Sequence, residues 1–268
     1  MNEHDFDEVP FWRSLGEADR SALLQAGTVR AVARDEILVR QEESSDHLLI
    51  VLQGCVKVLS DSASGYRAVL ALRGRGDLLG EQAGADGRCR SATLKAVLPG
   101  QVLVVPLDRF RELAAQRAGI ARARDRVLSG RLREADRKRL STSEPVPERL
   151  AALLLELGER FGRKDVRPGE ICIELHLSQE DLAGLVLSSL RTVSRVLEVW
   201  RRQMVVSTGR QSLRILDKER LQAMADGLDG PRLHGGGGRA SAGTSGRLSA
   251  AATGDDCGLT RGRGRQRR

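Results

Sequence analysis

Two stretches of this sequence bring together residue types that can do chemistry. The first runs from Arg75 to Thr93 and reads R-G-D-L-L-G-E-Q-A-G-A-D-G-R-C-R-S-A-T. Gly80 removes a side chain where backbone can approach a ligand. Glu81 offers a carboxylate acceptor suited to a ribose 2′-hydroxyl. Arg90 offers a fork of donors that matches a phosphate. Ser91 adds a hydroxyl, and the amides of Ser91 and Ala92 can join it. The chemistry this allows is recognition of a sugar phosphate. The bland alternative is a surface ion pair between Glu81 and Arg90, which is worth little.

The second stretch runs from Ser178 to Trp200, S-Q-E-D-L-A-G-L-V-L-S-S-L-R-T-V-S-R-V-L-E-V-W. It reads as two short helices with a tight turn. Ser178 is a good N-cap, and Asp181 follows three residues on. Leu182, Leu185 and Val186 repeat at helical spacing. After Leu187 and Ser188 the pattern restarts with Val193, Val196, Leu197 and Trp200 on one face. The other face carries Arg191, Thr192 and Arg195 at the start of the second helix, the end a helix-turn-helix places in the major groove. Arg can donate two hydrogen bonds to a guanine edge, and Thr can hold a phosphate or meet a thymine methyl. Gln179 and Ser189, at the starts of the two helices, complete the set of candidate DNA contacts. The alternative is an ordinary helical hairpin with a solvated Arg face.

Other elements must position these two stretches. Phe11 to Gly27 predicts a helix beginning at Ser14 or Gly16, with Leu23 and Leu24 facing a core. Short β-rich runs then recur at Glu36–Arg40, Leu48–Leu52, Val56–Leu59, Ala68–Leu72, Ala92–Val97 and Val102–Val105. Glycines and polar turns separate them, which suggests a small barrel or jelly roll. Arg109 to Leu140 predicts one charged helix with a narrow apolar stripe at Ala121, Leu128, Leu132 and Ala135. A narrow stripe suits a two-helix seam, and the alternative is a helix lying along its own barrel. Pro145 and Pro147 mark a hinge. Glu148 to Phe161 resumes a helix with Leu150, Leu153, Leu154 and Leu157 buried. Ile171 to Leu175 is a short strand. Val205–Ser207 and Ser212–Leu216 form a hairpin around Thr208-Gly209-Arg210-Gln211, the wing of a winged helix, and Lys218 to Ala225 closes the domain.

Composition narrows the class. With 268 residues, 40% of them hydrophobic, the chain has room for two globular domains, each with its own core. Apolar runs stay far below the ~18 residues a membrane helix needs. Met1 to Pro10 is acidic and polar, unlike a signal peptide, so a cytoplasmic location is expected. Cys55, Cys89, Cys172 and Cys257 show no C-x-x-C pairing, which fits a reducing compartment and argues against an iron–sulfur or zinc cluster. The net charge of +8 favours a polyanionic partner. From Asp226 onward the chain holds twelve of the 29 glycines together with eight Arg against four Asp. That composition predicts disorder and either nonspecific phosphate contacts or a passive solubilising role.

The order of these parts, from roughly Phe11 to Ala225, resembles the CRP/FNR family of bacterial transcription regulators, and is closest to its actinobacterial members. G-D-L-L-G-E…R-S-A-T is similar to that family's phosphate-binding cassette. L-S-Q-E-D-L-A-G-L-V and the helix after it are similar to its DNA-binding unit. The resemblance implies an α+β fold divided into a β-roll of the double-stranded β-helix or jelly-roll kind (residues 11–118), a dimerisation helix and hinge (119–144), a winged helix-turn-helix (145–225) and a disordered Gly/Arg-rich tail (226–268). It implies a homodimer that binds double-stranded DNA and works with RNA polymerase. The implied effector is a cyclic nucleotide, cAMP or cGMP, held by Gly80, Glu81, Arg90, Ser91 and Ala92. No catalysis, prosthetic group, metal or membrane association is implied.

Several positions depart from the family pattern. Cyclic-AMP-responsive members cap the adenine with a Thr-Ser pair, and the equivalent positions here are Ala135 and Asp136, which offer no hydroxyl. The cassette is one residue shorter between Glu81 and Arg90, and Gln82 replaces an apolar residue. The common S-R-E-T-V of the recognition helix is Ser189-Leu190-Arg191-Thr192-Val193. Leu187 stands where the turn normally has Gly, at a cost of ~1–2 kcal/mol if that backbone is left-handed. An N-terminal cysteine cluster is missing, and His47 lies in an apparent strand, so oxygen- and haem-sensing roles are disfavoured. Two other readings remain at this stage: a constitutive DNA-binding regulator with a degenerate pocket, and a cupin-like metalloenzyme. The second needs clustered ligands, and His4, His47, His176 and His234 are dispersed.

Overall fold

The computed structural model describes residues 9–44, 46–61, 67–164, 170–209 and 212–228. The Gly/Arg-rich stretch expected to be disordered lies beyond them except for its first three residues, as do Arg210 and Gln211 of the wing turn. A 3-10 turn (Phe11–Ser14) and α1 (Glu17–Ala26) lead into β1 (Thr28–Val32), β2 (Ile37–Val39), β3 (His47–Asp61), β4 (Arg67–Arg73) and β5 (Leu78–Leu79). After α2 (Glu81–Asp86) come β6 (Thr93–Pro106), α3 (Leu107–Gln116) and α4 (Ala118–Ser141). The C-terminal part is α5 (Val146–Phe161), β7 (Gly162–Lys164), β8 (Ile171–Ile173), α6 (Gln179–Leu185), α7 (Leu190–Arg202), β9 (Val206–Thr208), β10 (Leu213–Ile215) and α8 (Lys218–Ala225). The architecture is α+β, as the sequence predicts.

The N-terminal sheet is antiparallel in the order β1-β6-β3-β4, with β2 also on β6 and β5 on β3. Its long members correct the expectation of six short strands. Leu48–Leu52 and Val56–Leu59 belong to one strand, β3, and Ala92–Val97 and Val102–Val105 to another, β6. Gly54 and Gly100 do not break these strands. The β3–β6 register slips around Gln53 and Cys55, and Gly54 sits at φ +97°. A Cβ on Gly54 would come within 3.0 Å of the Pro99 carbonyl, and one on Gly100 would collide with the Gln53 carbonyl. The pair therefore makes a glycine-lined bulge that bends the sheet while keeping it continuous.

One face of the sheet packs on helices: Leu48, Ile50, Leu78 and Leu103 meet Leu23, Phe110, Ile120 and Ala123. Leu24, expected in a core, is 45% exposed, because α1 turns only one side inward. The expected single helix from Arg109 to Leu140 is two helices. The chain extends at Arg117 (φ −126°, ψ 99°) between α3 and α4, and this bend lets Ile120 and Ala123 pack beside Phe110. On α4, Leu128 and Ala121 are half-buried, Ala135 is exposed and Leu132 is 65% exposed. Half of the predicted stripe, Leu132 and Ala135, is therefore uncovered on a single chain.

In the C-terminal part, Pro145 and Pro147 flank the start of α5, where a missing N–H costs nothing. Leu150, Leu154 and Leu157 are buried there with Trp200, Leu197, Ile215 and Leu221. This core is not closed on itself. Cys55, Leu59, Val69, Leu72 and Val97 of the β-sheet part join the same cluster, although the sequence suggests two separate cores. Among the described residues no helix is long and apolar enough to cross a membrane.

Candidate effector pocket and nucleic-acid interface

The five cassette residues meet at one cavity of about 270 Å³. Gly80 sits at φ +82°, a left-handed conformation glycine adopts freely, and starts α2. A Cβ at Gly80 would collide with the Arg90 guanidinium, so glycine is required for space as well as for angle. Arg90 is 4% exposed. Its Nη1 donates to the Gly80 carbonyl at 3.3 Å and its Nη2 to the His47 carbonyl. Burial pulls its pKa below the ordinary guanidinium value, against the opposing pull of Glu81, Glu43 and Asp46. Ala92 is buried, while Ser91 is exposed and its Oγ donates to Gln82 Oε1 at 2.7 Å. Gln82 thus orients Ser91 at the cavity edge, which an apolar residue at that position cannot do.

The remaining wall comes from side chains the sequence reading missed. Glu81 is buried, and its ion pair is with Arg131 of α4 at 3.5 Å. Glu134 of α4 takes Arg73 of β4 at 2.6 Å, with Lys138 at 3.2 Å and Arg131 at 3.8 Å. Burial pushes the Glu134 carboxyl up, but Arg73, Lys138 and Arg131 together outweigh it and hold the pKa at about 2. Arg131 Nη2 also donates to the Leu78 carbonyl at 3.3 Å, and Lys138 Nζ to the Leu70 carbonyl. Arg131, Glu134 and Lys138 stand three and four residues apart, so they share one helix face. That spacing was legible in the sequence, but the apolar stripe on the neighbouring face drew the reading. The cavity so built has a buried cation at its cassette end, an ion-pair cluster on α4, and Val39, Val58, Leu79 and Leu94 between them. It can receive an anionic, hydroxyl-bearing ligand with an apolar body.

The second site is the α6–α7 unit. Ser178 and Asp181 form a reciprocal capping box: Asp181 N–H to Ser178 Oγ at 3.0 Å, and Ser178 N–H to Asp181 Oδ2 at 2.9 Å. Ser189 caps α7 by accepting from the Thr192 N–H at 3.2 Å, and their hydroxyls lie 2.9 Å apart. Gln179 Oε1 accepts from Ser194 Oγ at 2.6 Å, tying α6 to α7. Val193, Val196, Leu197 and Trp200 are all buried. Arg191 and Arg195 are exposed on the opposite side, and among the described residues neither meets a carboxylate. Leu187 has φ +51°, the strained left-handed turn its position implied, and Leu190 is 47% exposed. The wing pairs β9 with β10, and Arg201 Nη1 holds it to the end of α7 through Thr208 Oγ1 at 3.1 Å. Of the five predicted DNA-contact residues, Gln179 starts α6, Ser189 caps α7, Arg191 and Thr192 lie in the first turn of α7 and Arg195 one turn further on. The structure also gives Gln179, Ser189 and Thr192 local hydrogen-bonding roles.

A sheet domain carrying a cassette-lined cavity, followed by a long helix and a winged helix-turn-helix, is the architecture of a DNA-binding regulator. The cyclic nucleotide-binding domain family matches residues 29–117, and the Crp-like helix-turn-helix domain family matches residues 148–224. The chain is 28% identical over 193 residues to the CRP-like cAMP-activated global transcriptional regulator of Mycobacterium tuberculosis, covering 72% of this chain and 85% of that one. It is 27% identical over 199 residues to the transcriptional activator protein Anr of Pseudomonas protegens, covering 74% and 80%. In fold it is similar to FixK2 from Bradyrhizobium japonicum, with a TM-score of 0.63 and 23% identity over 74% of this chain and 96% of that one. The chain belongs to the CRP/FNR family of transcription regulators, and is a regulator rather than an enzyme.

Proposed function

We propose that this protein is a homodimeric, cytoplasmic transcription regulator whose β-roll binds a cyclic nucleotide, cAMP or cGMP, and whose winged helix binds double-stranded DNA. The carrying observation is that Gly80, Glu81, Arg90, Ser91 and Ala92 line one cavity that α4 completes. In this reading Arg90 and the Ser91 and Ala92 amides hold the cyclic phosphate, and the Glu81 carboxylate, which now pairs with Arg131, accepts from the ribose hydroxyl. The functional divisions are residues 11–118, 119–144, 145–225 and 226–268. Arg191 reads a base edge, Arg195 reads a base or a phosphate, and Gln179, Ser189 and Thr192 hold the DNA backbone. The uncovered stripe on α4, with Leu132 65% exposed, is the two-fold seam, and RNA polymerase is the partner on DNA.

Calorimetry with cAMP and cGMP tests the pocket. Arg90→Ala removes a charge-assisted contact worth roughly 1.5–3 kcal/mol, so affinity should fall at least about tenfold. One observation favours a second reading, a constitutive regulator. Arg90 and Glu81 already find partners within the protein, in two backbone carbonyls and Arg131. Absence of binding heat with either nucleotide selects it.

A further inference from the structure

The two ends of the cavity offer different chemistry. In the reading given above, the cassette end takes the phosphate and the ribose. Arg131 marks where that end meets α4, since its Nε stands 3.5 Å from the Glu81 carboxylate. The base of a cyclic nucleotide is then left to the next two turns of the helix, where Glu134, Ala135 and Lys138 line the wall beside Leu70 and Arg73 of β4. A helix rises ~1.5 Å per residue, so Lys138 stands roughly 10 Å along α4 from Arg131.

This end is charged. The cavity wall holds the cations Arg73, Arg90, Arg131 and Lys138 against two carboxylates, Glu81 and Glu134. A cyclic phosphate brings a single negative charge, so cations stay in excess, and Arg and Lys side chains are donors only. The acceptor among them is Glu134. Arg73 Nη2 at 2.6 Å and Lys138 Nζ at 3.2 Å fix its carboxylate. Its pKa of about 2 keeps it ionised at neutral pH, and its side chain is still 22% exposed. The backbone carbonyls around these cations are already engaged: Leu70 by Lys138, Leu72 by Arg73 and Leu78 by Arg131. Ala135 adds no polar side-chain atom.

The two purines meet such a wall differently. Guanine presents the acceptors O6 and N7 on one edge. Next to O6 it presents two adjacent donors, N1–H and the 2-amino group, which match the two oxygens of a carboxylate. Adenine carries an amine where guanine has O6, and so turns a donor toward the cations. Its N1 is an acceptor, which would face the carboxylate oxygens with no proton between them.

We propose that the α4 end of the cavity selects guanine over adenine, with the Glu134 carboxylate accepting from N1–H and the 2-amino group and Lys138 donating to O6. The proposal rests on the cavity being the effector site, and its test separates the two. Calorimetry on the full chain compares cGMP, cAMP and cyclic inosine monophosphate, which keeps O6 and N1–H but lacks the 2-amino group. One charge-assisted hydrogen bond gained or lost is worth at least about tenfold. Cyclic GMP should therefore bind at least about tenfold tighter than cAMP, with the inosine nucleotide between them. Lys138→Met removes the O6 donor and leaves the Arg73–Glu134 pair in place; it should weaken cGMP severalfold and leave cAMP unchanged. Glu134→Gln should bring the two affinities to within about threefold of each other, because one amide oxygen replaces two charged acceptors. The ratio of the two affinities is the readout, so a loss of stability that affects both nucleotides alike does not imitate the result. Binding of cAMP as tight as that of cGMP, or a guanine preference unchanged in both variants, overturns the selection and leaves the effector site standing. Absence of heat with all three nucleotides overturns the effector site and the selection together.

Discussion

The ion-pair cluster on the cavity wall makes a prediction whose size follows from its geometry. Glu134 is 22% exposed at its side chain, and three cations hold its pKa at about 2, against an ordinary 4.5. Its folded value is below its unfolded value, so its contribution to stability is fully present above pH 4.5 and is lost as pH falls through about 2. At about 1.4 kcal/mol per pH unit, that contribution is on the order of 3 kcal/mol at neutral pH. Glu134→Gln should therefore lower stability by about 3 kcal/mol at pH 7, in the range of ~3–5 kcal/mol for removing one partner of a buried pair. Arg73, with its side chain 10% exposed, loses its carboxylate in that variant. Urea unfolding of both proteins at about pH 7, 5, 4 and 3 measures the gap. By about pH 3 it should have shrunk to less than half, because below about pH 4.5 the unfolded carboxyl takes up a proton that the folded carboxylate, with its pKa at about 2, largely does not. A gap below about 1 kcal/mol at neutral pH, or one that stays constant down to about pH 3, refutes the view that Arg73 fixes α4 to β4 through a carboxylate that Arg131 and Lys138 help keep charged.

Three further outcomes follow from the two sites. Leu128→Asp with Leu132→Asp places like charges on the proposed α4 seam and should give monomers in sedimentation, with loss of operator binding; a dimeric double variant means that the seam lies elsewhere. Arg191→Ala should cost ~1–3 kcal/mol at one base position and relax specificity there, whereas Arg195→Ala, if Arg195 meets a phosphate, should weaken all sequences alike and lower the salt dependence. Binding to a substituted operator panel at two salt concentrations separates these roles, and wild-type behaviour of both variants would show that α7 is not the reader. Leu187→Gly relieves a left-handed leucine at φ +51° and should raise the urea midpoint by the equivalent of about 1 kcal/mol, since Gly saves ~1–2 kcal/mol of backbone strain and gives back part of it in chain entropy; a lowered midpoint contradicts the strain.

The sequence by itself determined whatever depends on local spacing. The α6–α7 unit was legible because a cap, a 3.6-residue apolar period and a turn lie within one continuous stretch. The structure adds atoms to each of them: the Ser178–Asp181 capping box, buried Val193, Val196, Leu197 and Trp200, and the left-handed Leu187. The cassette residues were legible for the same reason, since Gly80 to Ala92 are close in sequence. What faces them was not. Arg73 on β4 and Glu134 on α4 are 61 residues apart in the chain, and Lys57 and Asp181 are 124 apart. No periodicity signals such pairs, because they form only when the bend at Arg117 and the bulged sheet bring separate elements together. Gly54 and Gly100 illustrate the same limit. A glycine between two apolar runs reads equally as a turn or a bulge, and the close approach of the Gln53 and Pro99 carbonyls decides for the bulge. The sharing of one core between the β-sheet part and the winged helix was likewise decided by tertiary structure. Alternation along β4 marks Val69 and Leu72 as buried on one side, but only packing shows that the side they face belongs to α6 and its neighbours.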